Sequence, residues 1–138
     1  VQNGDIVKLY PGKPHIYDKA PSGRLYLDGN ISVTEDAQSI KDRKNLSANG
    51  YIEATILITS KGNIHKRPVL TIRGIPINDI DEFFYNLEDE IEKITKTFKL
   101  GNKKQEHNLI DALKITCRKF SKEQTGKKPF TNINLVKI

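Results

Sequence analysis

A chain of 138 residues, 36% apolar and 29% charged, has room for one domain, or for a smaller domain with a tail, and describes a polar-surfaced protein with a modest core. No apolar run approaches the roughly 18 residues of a membrane span and none resembles a signal peptide. A single Cys excludes an internal disulfide and fits a reducing, cytoplasmic setting.

The formal charge of +6 is unevenly laid out. Nine basic residues between Lys99 and Lys128 face only Glu106, Asp111 and Glu123, whereas between Asp79 and Lys96 seven acids face two lysines. Such asymmetry either attracts phosphate or pairs two parts of one protein.

In chain order, Asn3-Gly4 signals a turn, Asp5 to Tyr10 is β-prone, Pro11-Gly12 turns again, and His15-Ile16-Tyr17 returns as a hairpin strand. Such a hairpin is marginal alone and needs a surface to lie against. Residues 19–50 are broken by Pro21, Gly23, Gly29, Asn30, Asn49 and Gly50 and carry a charged stretch from Glu35 to Lys44. They read as a connector with brief extended pieces at Arg24 to Leu27 and Ile31 to Val33.

From Tyr51 the pattern tightens. Tyr51 to Thr59 is a β-branched strand with Ala54, Ile56 and Ile58 on one side, Ser60-Lys61-Gly62-Asn63 is a hairpin turn, and Pro68 to Arg73 is the partner strand. Asp79 with Glu82 three residues later makes a capping-box start. Ile80, Phe83, Phe84, Leu87, Ile91, Ile94 and Phe98 then predict a helix to about Phe98, ended by Gly101-Asn102. A second helix runs from about Gln105 to Gln124 on the stripe Leu109, Ile110, Leu113, Cys117 and Phe120, and Gly126 stops it. Pro129 to Ile138 is a last strand. The order β-β-α-α-β predicts an α+β domain, a three-stranded sheet with two helices on one face, preceded by a short hairpin and a linker.

The residues offer little catalytic chemistry. His15, His65 and His107 lack metal-ligand spacing, and Cys117 falls on a buried stripe where a thiol behaves as a small hydrophobe. Glu88, Asp89, Glu90 and Glu92 fan around a helix and read as a solvated face. The strongest binding candidate is basic: Lys103, Lys104, Lys114, Arg118, Lys122, Lys127 and Lys128 are candidates to follow a phosphate backbone, on charge alone. Phe120 and Phe130, the aromatics among them, are expected to be buried, which leaves no base-stacking platform. Phe130, Val136 and Ile138, on the face away from Ile133 and Leu135, are candidates for self-association, as are the edges of the sheet.

Four stretches, NGDIVKL, PGKPHIYDKAPSGRLYLDGN, LSANGYIEATILI and RKFSKEQTGKKPFTNINLVKI, resemble in order the end of the bacterial ribonuclease J family, over essentially the whole chain. The resemblance implies that residues 1 to about 20 are the closing strands of a metallo-β-lactamase domain interrupted by a β-CASP insert. It implies a linker from about 21 to 48 and a C-terminal domain from 49 to 138. It further implies a parent enzyme that cleaves RNA 5′-to-3′ exonucleolytically and endonucleolytically with a two-zinc site. The hallmark H-x-H-x-D-H is absent from these residues, so no catalytic or metal-binding residue is carried over and no cofactor is expected in this piece. The resemblance implies homo-oligomer assembly and support of activity. The alternative is a stand-alone RNA-binding module on the basic second helix.

Overall fold

The computed structural model describes residues 1–138, which divide into two compact units, Val1–Asp42 and Arg43–Ile138. No helix is long and apolar enough to cross a membrane.

The first unit consists of two hairpins. β1 (Asp5–Lys8) pairs antiparallel with β2 (His15–Lys19), with a bulge between Ile6 and Val7. β3 (Leu25–Asp28) pairs antiparallel with β4 (Ile31–Thr34) around the turn at Gly29-Asn30. The first strand stops at Lys8, two residues before the expected Tyr10, and the brief extended pieces of the connector pair into a hairpin. All five residues of β2 are exposed, as are Ile6, Leu9, Leu25, Leu27 and Ile31. Two-stranded ribbons cannot bury both faces by themselves.

The expected connector also contains a helix, α1 (Gln38–Asn49), which crosses the divide between the units. Its Gln38-to-Asn49 sequence carries two Asn and two Ser, residues that suit turns, and Ile40 is its one buried residue. Tertiary ties hold its end. Gly50 follows with φ +78, and a Cβ there would lie 2.4 Å from Ile75 Cγ1. Gly74, with φ +67, would place a Cβ 2.9 Å from the Leu46 carbonyl oxygen. Only glycine allows both the backbone angle and the close approach.

The second unit is α+β, as expected from the sequence. β5 (Tyr51–Ile58) is the middle of a sheet ordered β6-β5-β7, antiparallel to β6 (Val69–Arg73) and parallel to β7 (Phe130–Lys137). Ile52, Ala54, Ile56 and Ile58 alternate on one face of β5 and are wholly buried. They meet Phe83, Leu87 and Ile91 of α2 (Ile80–Lys96) and Leu109, Leu113 and Cys117 of α3 (Lys103–Thr125), so both helices cover the same face. Deleting one such side chain to Ala costs about 2–5 kcal/mol.

Caps set the helix limits. The Asp79 carboxylate accepts the Glu82 N–H at 2.9 Å, as the capping-box spacing predicts. α2 ends at Lys96, because the Thr97 and Phe98 amides fold back onto Ile94 and Thr95 and close a tight last turn. Asn102, expected to end the first helix, instead starts the second: its side chain accepts the Gln105 N–H at 2.9 Å, and the Gln105 side chain accepts the Gly101 N–H. Gly126 ends α3 with φ +76.

Cys117 sits at the centre of this core, and burial pushes its thiol up to about 12 from an ordinary 9.0. Between those values the unfolded chain releases a proton that the folded chain keeps, so stability falls as pH rises through that window, by at most about 1.4 kcal/mol per pH unit. Urea melts at successive pH values are expected to show this decline, and Cys117→Ala to flatten it. An aromatic disulfide reagent at pH 8 is expected to label Cys117 in urea at least a hundredfold faster than in the folded chain; equal rates would contradict its burial.

Candidate functional site

His15 lies on β2, His65 in the β5–β6 connection and His107 on α3; all three are exposed, and no three His, Cys, Asp or Glu residues gather where they could hold an ion. The residues of this chain therefore do not fit a zinc site. The acidic run on α2 has a different use. Glu88 takes the Arg67 Nε at 2.7 Å and Asp89 stands 3.7 Å from Arg67 Nη2, while the Arg67 guanidinium lies over the Tyr85 ring at 4.7 Å. Glu90 pairs with Lys93 and Glu92 with Lys96. Arg67 was not singled out in the sequence because it lies in a loop 21 residues from its partner.

Glu88, Asp89, Glu90 and Glu92 of α2 are engaged by Arg67, Lys93 and Lys96, and no ion pair joins α2 to α3. On α3, His107 pairs with Asp111 and Lys119 with Glu123, and Glu106 takes Lys137 of β7. Lys103, Lys104, Lys114, Arg118, Lys122 and Lys128 form no ion pair within the chain. They are not one cluster. Lys103 and Lys104 occupy the first turn, about 22 Å along the axis from Arg118 at 1.5 Å per residue. Lys114, Arg118 and Lys122 follow one another at i, i+4 spacing on one side of α3. Lys127 differs from its neighbours: its ammonium donates to the carbonyls of Ser47 at 2.8 Å and Gly74 at 3.1 Å, bracing the end of α1 against the end of β6.

The face of the sheet away from the helices is open. Its rows follow the register: Arg73–Tyr51–Phe130, Thr71–Glu53–Asn132, Val69–Thr55–Asn134 and Leu57–Val136. The middle is polar, where Glu53 accepts hydrogen bonds from the Tyr51 hydroxyl and from the Asn134 amide at 2.8 Å. Partial burial, and then the neighbouring Glu53 charge, hold the Tyr51 phenol above its ordinary range. One end of this face is aliphatic, with Val69, Val136 and Ile138 exposed. The other end is aromatic.

Phe130 corrects an expectation. It is 64% exposed, because the first residue of β7 points away from the helices, and its ring stacks on Tyr51 with centroids 6.1 Å apart and planes 14° apart. Phe120 is partly buried and meets Phe83 edge-on at 5.1 Å. Phe130 thus shares a face with Val136 and Ile138, but lies about 20 Å away along the strand from Val136 at 3.3 Å per residue.

Residues 38–137, from the first residue of α1 to the last of β7, match the ribonuclease J C-terminal domain. The chain is 25% identical over 140 residues to ribonuclease J of Sinorhizobium meliloti, covering all of this chain and 25% of that protein. It is 22% identical over 129 residues to ribonuclease J of Corynebacterium glutamicum, covering 93% of this chain and 18% of that protein. It therefore spans a quarter or less of the length of these curated relatives. With the match running through every element of the sheet and its helices, the chain belongs to the ribonuclease J C-terminal domain family.

Proposed function

We propose that this chain is the non-catalytic, assembly-forming end of a zinc-dependent 5′-to-3′ exo- and endoribonuclease that processes and degrades RNA in the cytoplasm. The zinc site and the RNA-cleaving groups then belong to the metallo-β-lactamase and β-CASP parts of the parent. Residues 1 to about 20 are closing strands of that catalytic domain, and residues from about 21 are a connector that includes β3 and β4, while α1, where the family match begins, goes with the C-terminal domain. The bare ribbon of β1 and β2 supports this reading, since it lacks a partner for its second face.

The observation that carries assembly is the one-sided sheet. Its helix-free face ends in exposed Val69, Val136 and Ile138, and eight-residue β7 is an edge strand with one side of its backbone unpaired. Apolar residues beside an open strand edge favour association with a second copy. Phe130, on the same face, is a more distant candidate. In light scattering across a dilution series, the 15.7 kDa chain is expected to run as a dimer or higher oligomer. The pair Val136→Asp and Ile138→Asp is expected to weaken association at least tenfold, since burying one aliphatic side chain is worth about 1.5–3 kcal/mol. A single-chain mass at every concentration would remove the proposal.

A second reading, RNA binding by α3, is favoured by the unpaired Lys114, Arg118 and Lys122. Neutralising all three is expected to weaken single-stranded RNA binding and to flatten its salt dependence by about 0.7 per lost phosphate contact. Absence of RNA binding at low salt would remove this reading.

A further inference from the structure

The exposed Phe130 ring opens onto a cavity of about 230 Å³ lined by Asn45, Asn49, Arg118, Lys128, Pro129 and Phe130. Three elements meet there, the last turn of α1, the outer side of α3 and the start of β7, all within Arg43–Ile138. Its composition is selective. Two cations without an ion-pair partner stand beside an accessible aromatic ring and two carboxamides, and no acid lines it.

The walls are held from behind. Lys127 bonds the carbonyls of Ser47 and Gly74, the Gly50 N–H closes onto Leu46, and the Phe130 N–H donates to the Gly50 carbonyl at 3.0 Å. Tyr51 backs the Phe130 ring, so its outer face is presented by a supported stack. Lys127 also answers the negative end of α1, leaving Arg118 and Lys128 available for an anion.

We propose that this cleft seats one nucleotide of a single-stranded RNA. The base stacks on Phe130, the adjoining phosphates lie against Arg118 and Lys128, and the amides of Asn45 and Asn49 hydrogen-bond to the base edge or sugar. Stacking on an exposed aromatic beside basic side chains is how unpaired bases are held without sequence preference. The cavity is smaller than the roughly 300–1,000 Å³ of sites that enclose a free small molecule. It therefore suits one unit of a longer strand. The proposal rests on the second reading above and gives it a location; Val136 and Ile138, the residues tested for self-association, take no part in it.

Fluorescence anisotropy of the full chain with a labelled ten-nucleotide single-stranded RNA tests it, against a duplex of the same sequence and a polyphosphate of similar charge. Phe130→Ala is expected to weaken single-strand binding about tenfold with the salt slope unchanged, and Phe130→Trp to retain it. Arg118→Gln with Lys128→Gln is expected to lower the salt slope by about 1.4. Lys61→Gln with Lys66→Gln, an equal loss of charge outside the cleft, is expected to change affinity less than threefold. Circular dichroism of each variant establishes that the fold is kept. Binding that ignores Phe130→Ala, or that is equalled by duplex or polyphosphate, overturns the cleft while leaving RNA contact by α3 standing. No binding to any RNA overturns both.

Discussion

The C-terminal unit depends on one constraint: β5 buries a single face. Ile52, Ala54, Ile56 and Ile58 are sealed under α2 and α3, whereas Tyr51, Glu53, Thr55 and Leu57 are not. A sheet covered on one side only needs both crossover helices, α2 and α3, on that side. The chain therefore leaves β6, crosses the covered face twice through α2 and α3, and returns beside β5 as the parallel strand β7. The uncovered face is what this economy leaves over, and both proposed surfaces draw on its ends. Val136 and Ile138 occupy its aliphatic end and Phe130 its aromatic end, separated by the polar residues Glu53, Asn132 and Asn134.

Charge is divided by the same architecture. Arg67 reaches back from the β5–β6 connection to Glu88 and Asp89, so these acids of α2 are engaged without the bases of α3. The lysines and the arginine of α3 are left without them. Exposed pairs of this kind contribute little to stability, roughly 0–1 kcal/mol each. Their larger effect here is on where positive potential remains. Lys127 shows that a basic residue in a basic run need not face a ligand: its partners are two carbonyls, and its work is to hold α1 beside Gly74.

Much of this was legible in the sequence because it follows from short-range periodicity. Alternation at Ala54, Ile56 and Ile58 marked the core strand, the helical spacing of Phe83, Leu87 and Ile91 marked α2, and Asp79 and Gly126 marked helix limits. The burial of Cys117 followed from its place between Leu113 and Phe120. What was not legible depended on distant partners. α1 has one buried side chain, Ile40, too little for a periodic signal, and its end is held by Lys127, 80 residues later. Asn102 reads equally well as a stop or a cap until Gln105 is seen bonded to it. Phe130 is apolar, and only the register of β7 against β5 decides that it faces outward onto Tyr51. That single orientation turns a basic helix without aromatic company into one side of a cleft.

The central claim is that the open side of the sheet joins a second copy of the chain. Hydrogen exchange of residues 130–138, followed by mass spectrometry from dilute to concentrated protein, tests it most directly. The account predicts that amides on the outer edge of β7 gain protection as concentration rises, while those of α3 do not change. Exchange in β7 that is the same at all concentrations, or protection confined to α3, would contradict it.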